Sequence, residues 1–292
     1  MADIAIIGSS LIMSFYARIL SSKNKVCVYE SSNIGGSWAA NKFQEAIHPL
    51  FNNLICPLND EEDDIIEPVA KFLNEAGGNV EIRNEKLNLL IDYEPKKYIV
   101  GDFFSAIRNN INTVSEINRE KVSSIEIMND GINLNGRFFN KIFLPENFIV
   151  DSIVYAGKTF PMEQTSVISK HLRAFVSSAK DLPYYNESTD GIFDRGGKVD
   201  DHIFIGRIRK ECKDFNEARF ISESSILSTR AVMEYQINKY HNSRLTEASL
   251  DFLKSLAPPN TFFAETAQFC RSYIKLRDNL FSDRSLLNKL VN

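Results

Sequence analysis

The stretch from Ile4 to Glu30 limits what this chain can fold into more than any other part of it. Ile4 to Ile7 is an apolar run of the kind that forms a strand buried on both faces. Gly8-Ser9-Ser10 follows as a tight turn of small residues. From Leu11 to Leu20 apolar residues recur at helical spacing, with Leu11, Phe15 and Ile19 on one face and Ile12, Tyr16 and Leu20 on its neighbour. Val26 to Tyr29 is a second apolar run, and it ends on Glu30. A strand, a tight turn, a helix and a second strand in this succession specify a parallel βαβ unit.

Chemistry gives the spacing a meaning. Small residues at a helix start let a pyrophosphate approach backbone N–H groups and the positive end of the helix dipole. An acid at the end of the second strand accepts hydrogen bonds from both hydroxyls of an adenosine ribose. The ideal glycine pattern is G-x-G-x-x-G, and its three positions here hold Gly8, Ser10 and Met13. Ser10 brings a Cβ where bare backbone is preferred, with a hydroxyl that can itself bond phosphate. Met13 brings bulk where the helix should lie close to the strand. On its own the pattern also fits a plain βαβ opening with a solvated Glu30.

Beyond Glu30 comes Asn33-Ile34-Gly35-Gly36-Ser37-Trp38. The segment resembles the second glycine motif of the two-dinucleotide-binding-domain flavoproteins. That superfamily holds amine oxidases, UDP-galactopyranose mutases, phytoene desaturases and the flavin-less Rab escort and GDP-dissociation-inhibitor proteins. The resemblance implies an α/β fold: an FAD/NAD(P)-binding Rossmann-like parallel sheet, interleaved with a smaller antiparallel substrate-domain sheet and followed by a helical C-terminus. It implies FAD as cofactor. Gly8, Ser9, Ser10, Glu30 and Ser31 would hold the ADP half, and Gly35, Gly36, Ser37 and Trp38 the middle. Val122-Ser123-Ser124-Ile125 looks like the Val-x-x-Ile pattern whose valine backbone touches adenine, which assigns Val122. The strand from His202 to Arg207 ends on Gly206-Arg207, as in the mutases, and would close the nucleotide-binding domain at the flavin end. Asp214 or Glu217 would then be the acid that follows it.

The same resemblance implies an oxidoreductase acting on a small-molecule substrate. Glu45-Ala46-Ile47-His48 looks like a segment that lies beside the flavin or substrate, which makes His48 a pocket residue; a loop histidine packed beside Pro49 and Phe51 is the bland alternative. Tyr184, Tyr185 and Arg195 fall in turn-rich segments where a substrate sheet would turn over a cleft, and they suit an anionic or sugar ligand; exposed loop tyrosines and a surface arginine are the alternative. A flavin-less binding protein and a nucleotide-sugar enzyme remain open as readings of the whole chain.

Composition narrows the field. A formal net charge of −4 argues against a nucleic-acid binder, which shows a basic face. Cys27, Cys56, Cys212 and Cys270 form no C-x-x-C pair, so a structural zinc is not expected and the usage fits a reducing compartment. Neither a leader nor a membrane-length apolar run is expected, and the location inferred is cytoplasmic.

Along the remainder, a helix is expected over 60–78, where an acidic first turn complements the dipole rather than binding metal. Short strands are expected over 80–100, a helix over 102–111, and a three-stranded meander over 122–128, 132–134 and 137–144. Further strands are expected over 148–155 and 166–177, and a long helix over 216–240. The expected domain layout is 1–50, 102–160 and 200–240 for the nucleotide-binding domain, 51–101 and 161–199 for the cap, and 241–292 for C-terminal helices, including one from Phe262 to Leu290. Those helices offer apolar stripes suited to packing on the domain or on a second copy of the chain.

Overall fold

The computed structural model describes residues 3–35, 40–43, 46–49, 54–84, 94–176, 184–185, 192–198, 203–209, 232–264, 269–270 and 273–274. The opening unit forms as its pattern predicts. β1 (Asp3–Ile7) and β2 (Lys25–Tyr29) lie parallel, with Ile4 beside Val26 and Ile6 beside Val28, and α1 (Leu11–Ser21) joins them. Gly8 closes the turn by donating its N–H to the Tyr29 carbonyl at 2.7 Å.

β3 (Ala40–Phe43) and β4 (Ala46–Pro49) form a two-stranded antiparallel sheet. β5 (Leu54–Ile55), β6 (Asn79–Arg83) and β7 (Tyr98–Asp102) form a three-stranded one around two helices, α2 (Asp60–Asp63) and α3 (Ile66–Glu75). A single helix over 60–78 is thus two. Pro68 explains the break: in one continuous helix its ring would meet the carbonyl of residue 64, whereas in the first turn of α3 it is tolerated. Asn59 caps α2 by accepting the Glu62 N–H at 2.9 Å. Then come α4 (Phe104–Ile111) and β8 (Glu116–Asn118), the latter parallel to β2.

The expected meander is split between two sheets. β9 (Ser124–Ile127), β10 (Ile132–Leu134) and β11 (Arg137–Phe139) are antiparallel neighbours, but after Asn140 the chain leaves as β12 (Lys141–Pro145) and pairs with β1 in parallel. The second sheet is completed by β13 (Ser152–Tyr155) and β14 (Lys158–Pro161). A third sheet has the order β16-β17-β18-β15-β19, made of β15 (Gln164–Val176), β16 (Tyr184–Tyr185), β17 (Phe193–Lys198), β18 (Ile203–Ile208) and β19 (Val232–Leu245). After α5 (Glu247–Leu256), β20 (Thr261–Ala264) returns to the first sheet and pairs with β12 in parallel.

Three expectations fall here. The strand at 203–208 does not close the parallel sheet; it lies between β15 and β17, and β20 takes the closing position. Of the helix expected over 216–240, residues 216–231 lie outside the described residues, and from Val232 the chain is the strand β19; pairing with β15 along its length supplies a ladder that outweighs the helical spacing. Of the helix expected from Phe262 to Leu290, the start is a strand, because Phe262 stacks on Phe143 at 4.7 Å between ring centres in the sheet, while residues 269–270 and 273–274 are helical.

The parallel sheet reads β8-β2-β1-β12-β20, or 3-2-1-4-5 in chain order, the doubly wound arrangement. Its two faces bury different partners. Ile4, Ile6, Val26, Val28 and Phe143 face the cluster that includes α1, α3 and α4, where Phe15 stacks on Phe72 at 4.1 Å. Ala5, Ile7, Cys27, Tyr29, Ile142 and Leu144 face the second sheet and α5. The fold is α/β, with smaller antiparallel sheets inserted into a parallel one.

Candidate functional site

Strand order reverses between β1 and β12, and ligands of open α/β sheets bind outside the carboxyl ends of the strands at such a point. Gly8 leaves β1 there with φ +81°, a left-handed value that suits glycine. A Cβ on Gly8 would lie 3.9 Å from Pro145 at the end of β12, so the turn needs the glycine for its backbone and not for space. Ser10 then stands at the N-cap of α1 in extended conformation, with no side-chain cap bond. Its Oγ is buried and has no hydrogen-bond partner among the described residues. The first turn of α1 carries no acid. A free hydroxyl beside the N-terminus of a helix whose own first turn holds no acid is a donor set that fits an oxyanion such as a phosphate. Met13, the bulky residue at the third glycine position, is fully buried in the core.

Glu30 follows β2 and is buried, with 7% of its surface exposed. Both carboxylate oxygens are engaged within the chain. Oε2 accepts the Ser9 N–H at 3.0 Å and the Ser9 hydroxyl at 2.6 Å. Oε1 accepts the Ser32 N–H at 2.9 Å and the Ser32 hydroxyl at 2.7 Å. The Ser9 hydroxyl in turn accepts the Gly35 N–H at 2.8 Å. Gly35 has φ +92°, again the left-handed region. The Glu30 N–H is fixed to the Asn118 carbonyl, and Arg119 Nη1 donates to the Ser32 carbonyl at 3.1 Å. One network therefore joins the first glycine turn, the acid after β2, the start of the second glycine motif and the end of β8. Sequence reading missed Ser32, whose serine type carries no signal of its own; it reaches Glu30 locally, from two residues further along the chain, whereas Ser9 is brought there by the pairing of β1 and β2. Ser31, expected among the ADP contacts, is exposed.

The third sheet gathers other candidate residues into one row. Tyr185 pairs with Arg195, Arg195 with Arg207, and Arg207 with His171 across β16, β17, β18 and β15. Tyr184 pairs with Gly196. His171 and Arg173 on β15 are buried and were not anticipated, since nothing in a strand pattern distinguishes a buried cation from an exposed one. Gly206 and Arg207 belong to this sheet, so their assignment to the flavin end through a closing strand is not supported. Gly206 is glycine for a packing reason: a Cβ would lie 2.6 Å from the Phe193 ring and 2.8 Å from the Phe204 ring.

His48 lies on β4, opposite Asn41 on β3. Val122 is buried in the cluster under the second sheet, just before β9. Gly36, Ser37, Trp38, Asp214 and Glu217 lie outside the described residues, as do the side chains of His48, Tyr184, Tyr185 and Arg195. Among the described residues no group of histidine, cysteine or acidic side chains is placed to hold a metal, and no helix is long and apolar enough to cross a membrane.

No family model and no curated protein sequence matches the chain. Solved structures do match. Putrescine oxidase is similar at a TM-score of 0.59 with putrescine bound, with 10% identity over 96% of this chain and 99% of that one. Cyclohexylamine oxidase from Brevibacterium oxydans IH-35A gives a TM-score of 0.61 at 10% identity, over 96% and 99% of the two chains. Glycine oxidase from Bacillus cereus ATCC 14579 gives 0.56 at 12% identity, over 94% of each chain. The fold is shared with these oxidases.

Proposed function

We propose that the chain is an FAD-dependent oxidoreductase acting on a small molecule. One observation carries the reading: at the switch point of a 3-2-1-4-5 sheet, a left-handed Gly8 turn leads into a helix N-terminus where a buried Ser10 hydroxyl lacks a partner. The oxidase fold of the structural neighbours supports it. Ser10 Oγ and the first N–H groups of α1 hold the pyrophosphate, and Glu30 stands at the adenosine end. Gly35, Gly36, Ser37 and Trp38 continue the cofactor cradle, Ser31 flanks Glu30, and the Val122 backbone contacts adenine. FAD, when bound, supplies an acceptor for the hydride taken from substrate, while the protein supplies orientation and electrostatics.

The substrate end is proposed at the row holding Tyr185, Arg195 and Arg207, with Tyr184 beside it and His48 as a further pocket residue. Cationic positions in register suit a substrate bearing an anionic group. The reading places the protein in the cytoplasm, with residues 241–292 available to pack on a second copy of the chain.

A visible spectrum of the purified protein and a titration with FAD test the proposal. A flavin absorption band, or quenching of added FAD fluorescence with a rise in melting temperature, is the expected result. Neither effect, in wild type or in Ser10→Gly with Met13→Gly, would remove the cofactor. A second reading, a flavin-less binding protein that keeps the fold, is favoured by the full engagement of the Glu30 carboxylate within the chain. The nucleotide-sugar reading rests on the Gly206-Arg207 resemblance alone, and no observation favours it.

A further inference from the structure

The Glu30 carboxylate has about four lone-pair directions to offer. All are used by donors of the chain itself: the N–H and hydroxyl of Ser9 on one oxygen, the N–H and hydroxyl of Ser32 on the other. A ribose that bonds this acid through its 2′- and 3′-hydroxyls has to take the place of two protein donors. The backbone N–H groups sit on the turn and on the strand end, and moving them would move the backbone. The serine hydroxyls move by rotation about one side-chain bond. They are the donors that an arriving diol displaces.

Displacement at Ser9 has a second effect. The same hydroxyl accepts the Gly35 N–H, so its rotation frees a donor in the second glycine motif. Gly35 reaches φ +92° without strain, so that conformation needs no bond to offset a steric cost. Loss of the Ser9 bond therefore leaves the Gly35 N–H open to another acceptor.

We infer that Ser9 and Ser32 form a latch on Glu30 that closes the ribose subsite of the ligand-free chain and sets how strongly the site prefers a nucleotide with an intact 2′,3′-diol. The inference rests on the nucleotide reading of the turn after β1. With the latch in place, most of what a diol gains from the carboxylate is cancelled by the two serine bonds it breaks. Phosphate contacts then dominate affinity. Removing the serine hydroxyls leaves the carboxylate needing partners, and the diol supplies them at no cost to the chain.

Calorimetry with ADP, 2′,3′-dideoxy-ADP and inorganic pyrophosphate tests this on wild type, Ser9→Ala, Ser32→Ala and the double variant. Wild type is expected to prefer ADP over the dideoxy compound by less than about threefold, and the double variant by about tenfold or more, the worth of one or two charge-assisted bonds. Amide exchange at Gly35 is expected to speed up in Ser9→Ala without ligand. A wild-type preference already beyond about tenfold, or a ratio that the serine variants leave unchanged, would overturn the latch while leaving the nucleotide site standing. Binding of none of the three probes, to wild type or to any variant, would overturn the nucleotide reading and the latch's selecting role with it. Melting temperatures of all variants report whether each has folded, and Ser9→Thr, which keeps the hydroxyl, should behave as wild type in the ADP ratio.

Discussion

Ser10 and the acid bonded to its neighbour Ser9 make opposite predictions. Ser10 Oγ has no partner among the described residues, so Ser10→Ala should change stability by less than about 0.5 kcal/mol in urea denaturation while weakening pyrophosphate binding. Glu30→Ala removes the acceptor of four donors and should cost on the order of 3 kcal/mol in the same measurement, whatever it does to nucleotides. Cys27, opposite Ala5 in the sheet, belongs to a third kind: burial pushes its thiol up to about 11, with Glu116 adding to the effect. At pH 8 about one molecule in a thousand carries the thiolate, so iodoacetamide should spare Cys27 until the chain unfolds. An unfolded thiol ionises near pH 8.5 and the folded one does not, so stability should fall as pH rises from about 8.5 toward 11, and Cys27→Ala should flatten that slope. The turn at Gly8 and the place of Glu30 just after β2 were legible in the sequence because both follow from local order along one βαβ unit. Ser32 was not, because a serine two residues after an acid is common in turns and only the burial of Glu30 gives the bond its role.

Elements repeat the lesson at longer range. The first βαβ unit is specified by neighbours in sequence, and it formed as its pattern indicated. β18 was read as the closing strand and the run of β20 as the start of a helix for a physical reason: both are short apolar runs, and nothing local says which sheet, if any, such a run will join. Pro258-Pro259-Asn260 before Thr261 was a turn signal that pointed to a new strand, and the run Phe262-Phe263-Ala264 that follows suits a parallel sheet buried on both faces. β19 was misread because its apolar residues also fit a helix when the partner β15 is not considered. The Gly206 position tests the corrected assignment. If Gly206 serves packing between Phe193 and Phe204, whose rings meet edge to face at 5.2 Å, Gly206→Ala should destabilise the fold by about 1–3 kcal/mol through overpacking. A flavin-contacting glycine in an open cradle would instead tolerate the methyl group in thermal melts and lose cofactor.

The molecule as a whole is held together by a sheet whose strands come from far apart in the chain. The α/β class and the presence of antiparallel insertions were legible from the opening unit and its second glycine motif, whereas the path between sheets was not. A chain ending at Pro258 lacks β20, leaves Phe143 without the Phe262 ring, and uncovers the edge of β12; it should show no cooperative thermal transition by circular dichroism. The position of β20 also bears on the order of events during synthesis. The first two strands of the parallel sheet are made within the first 30 residues, yet the strand that completes it is finished only at Ala264. At about 5–20 residues per second the nascent chain carries an unfinished parallel-sheet edge for many seconds, and the third sheet has all its strands once Leu245 has emerged. A ribosome stalled after Leu245 has left its tunnel and before Thr261 has would therefore present a complete antiparallel sheet beside an unfinished parallel one, a state that holdase chaperones are built to find.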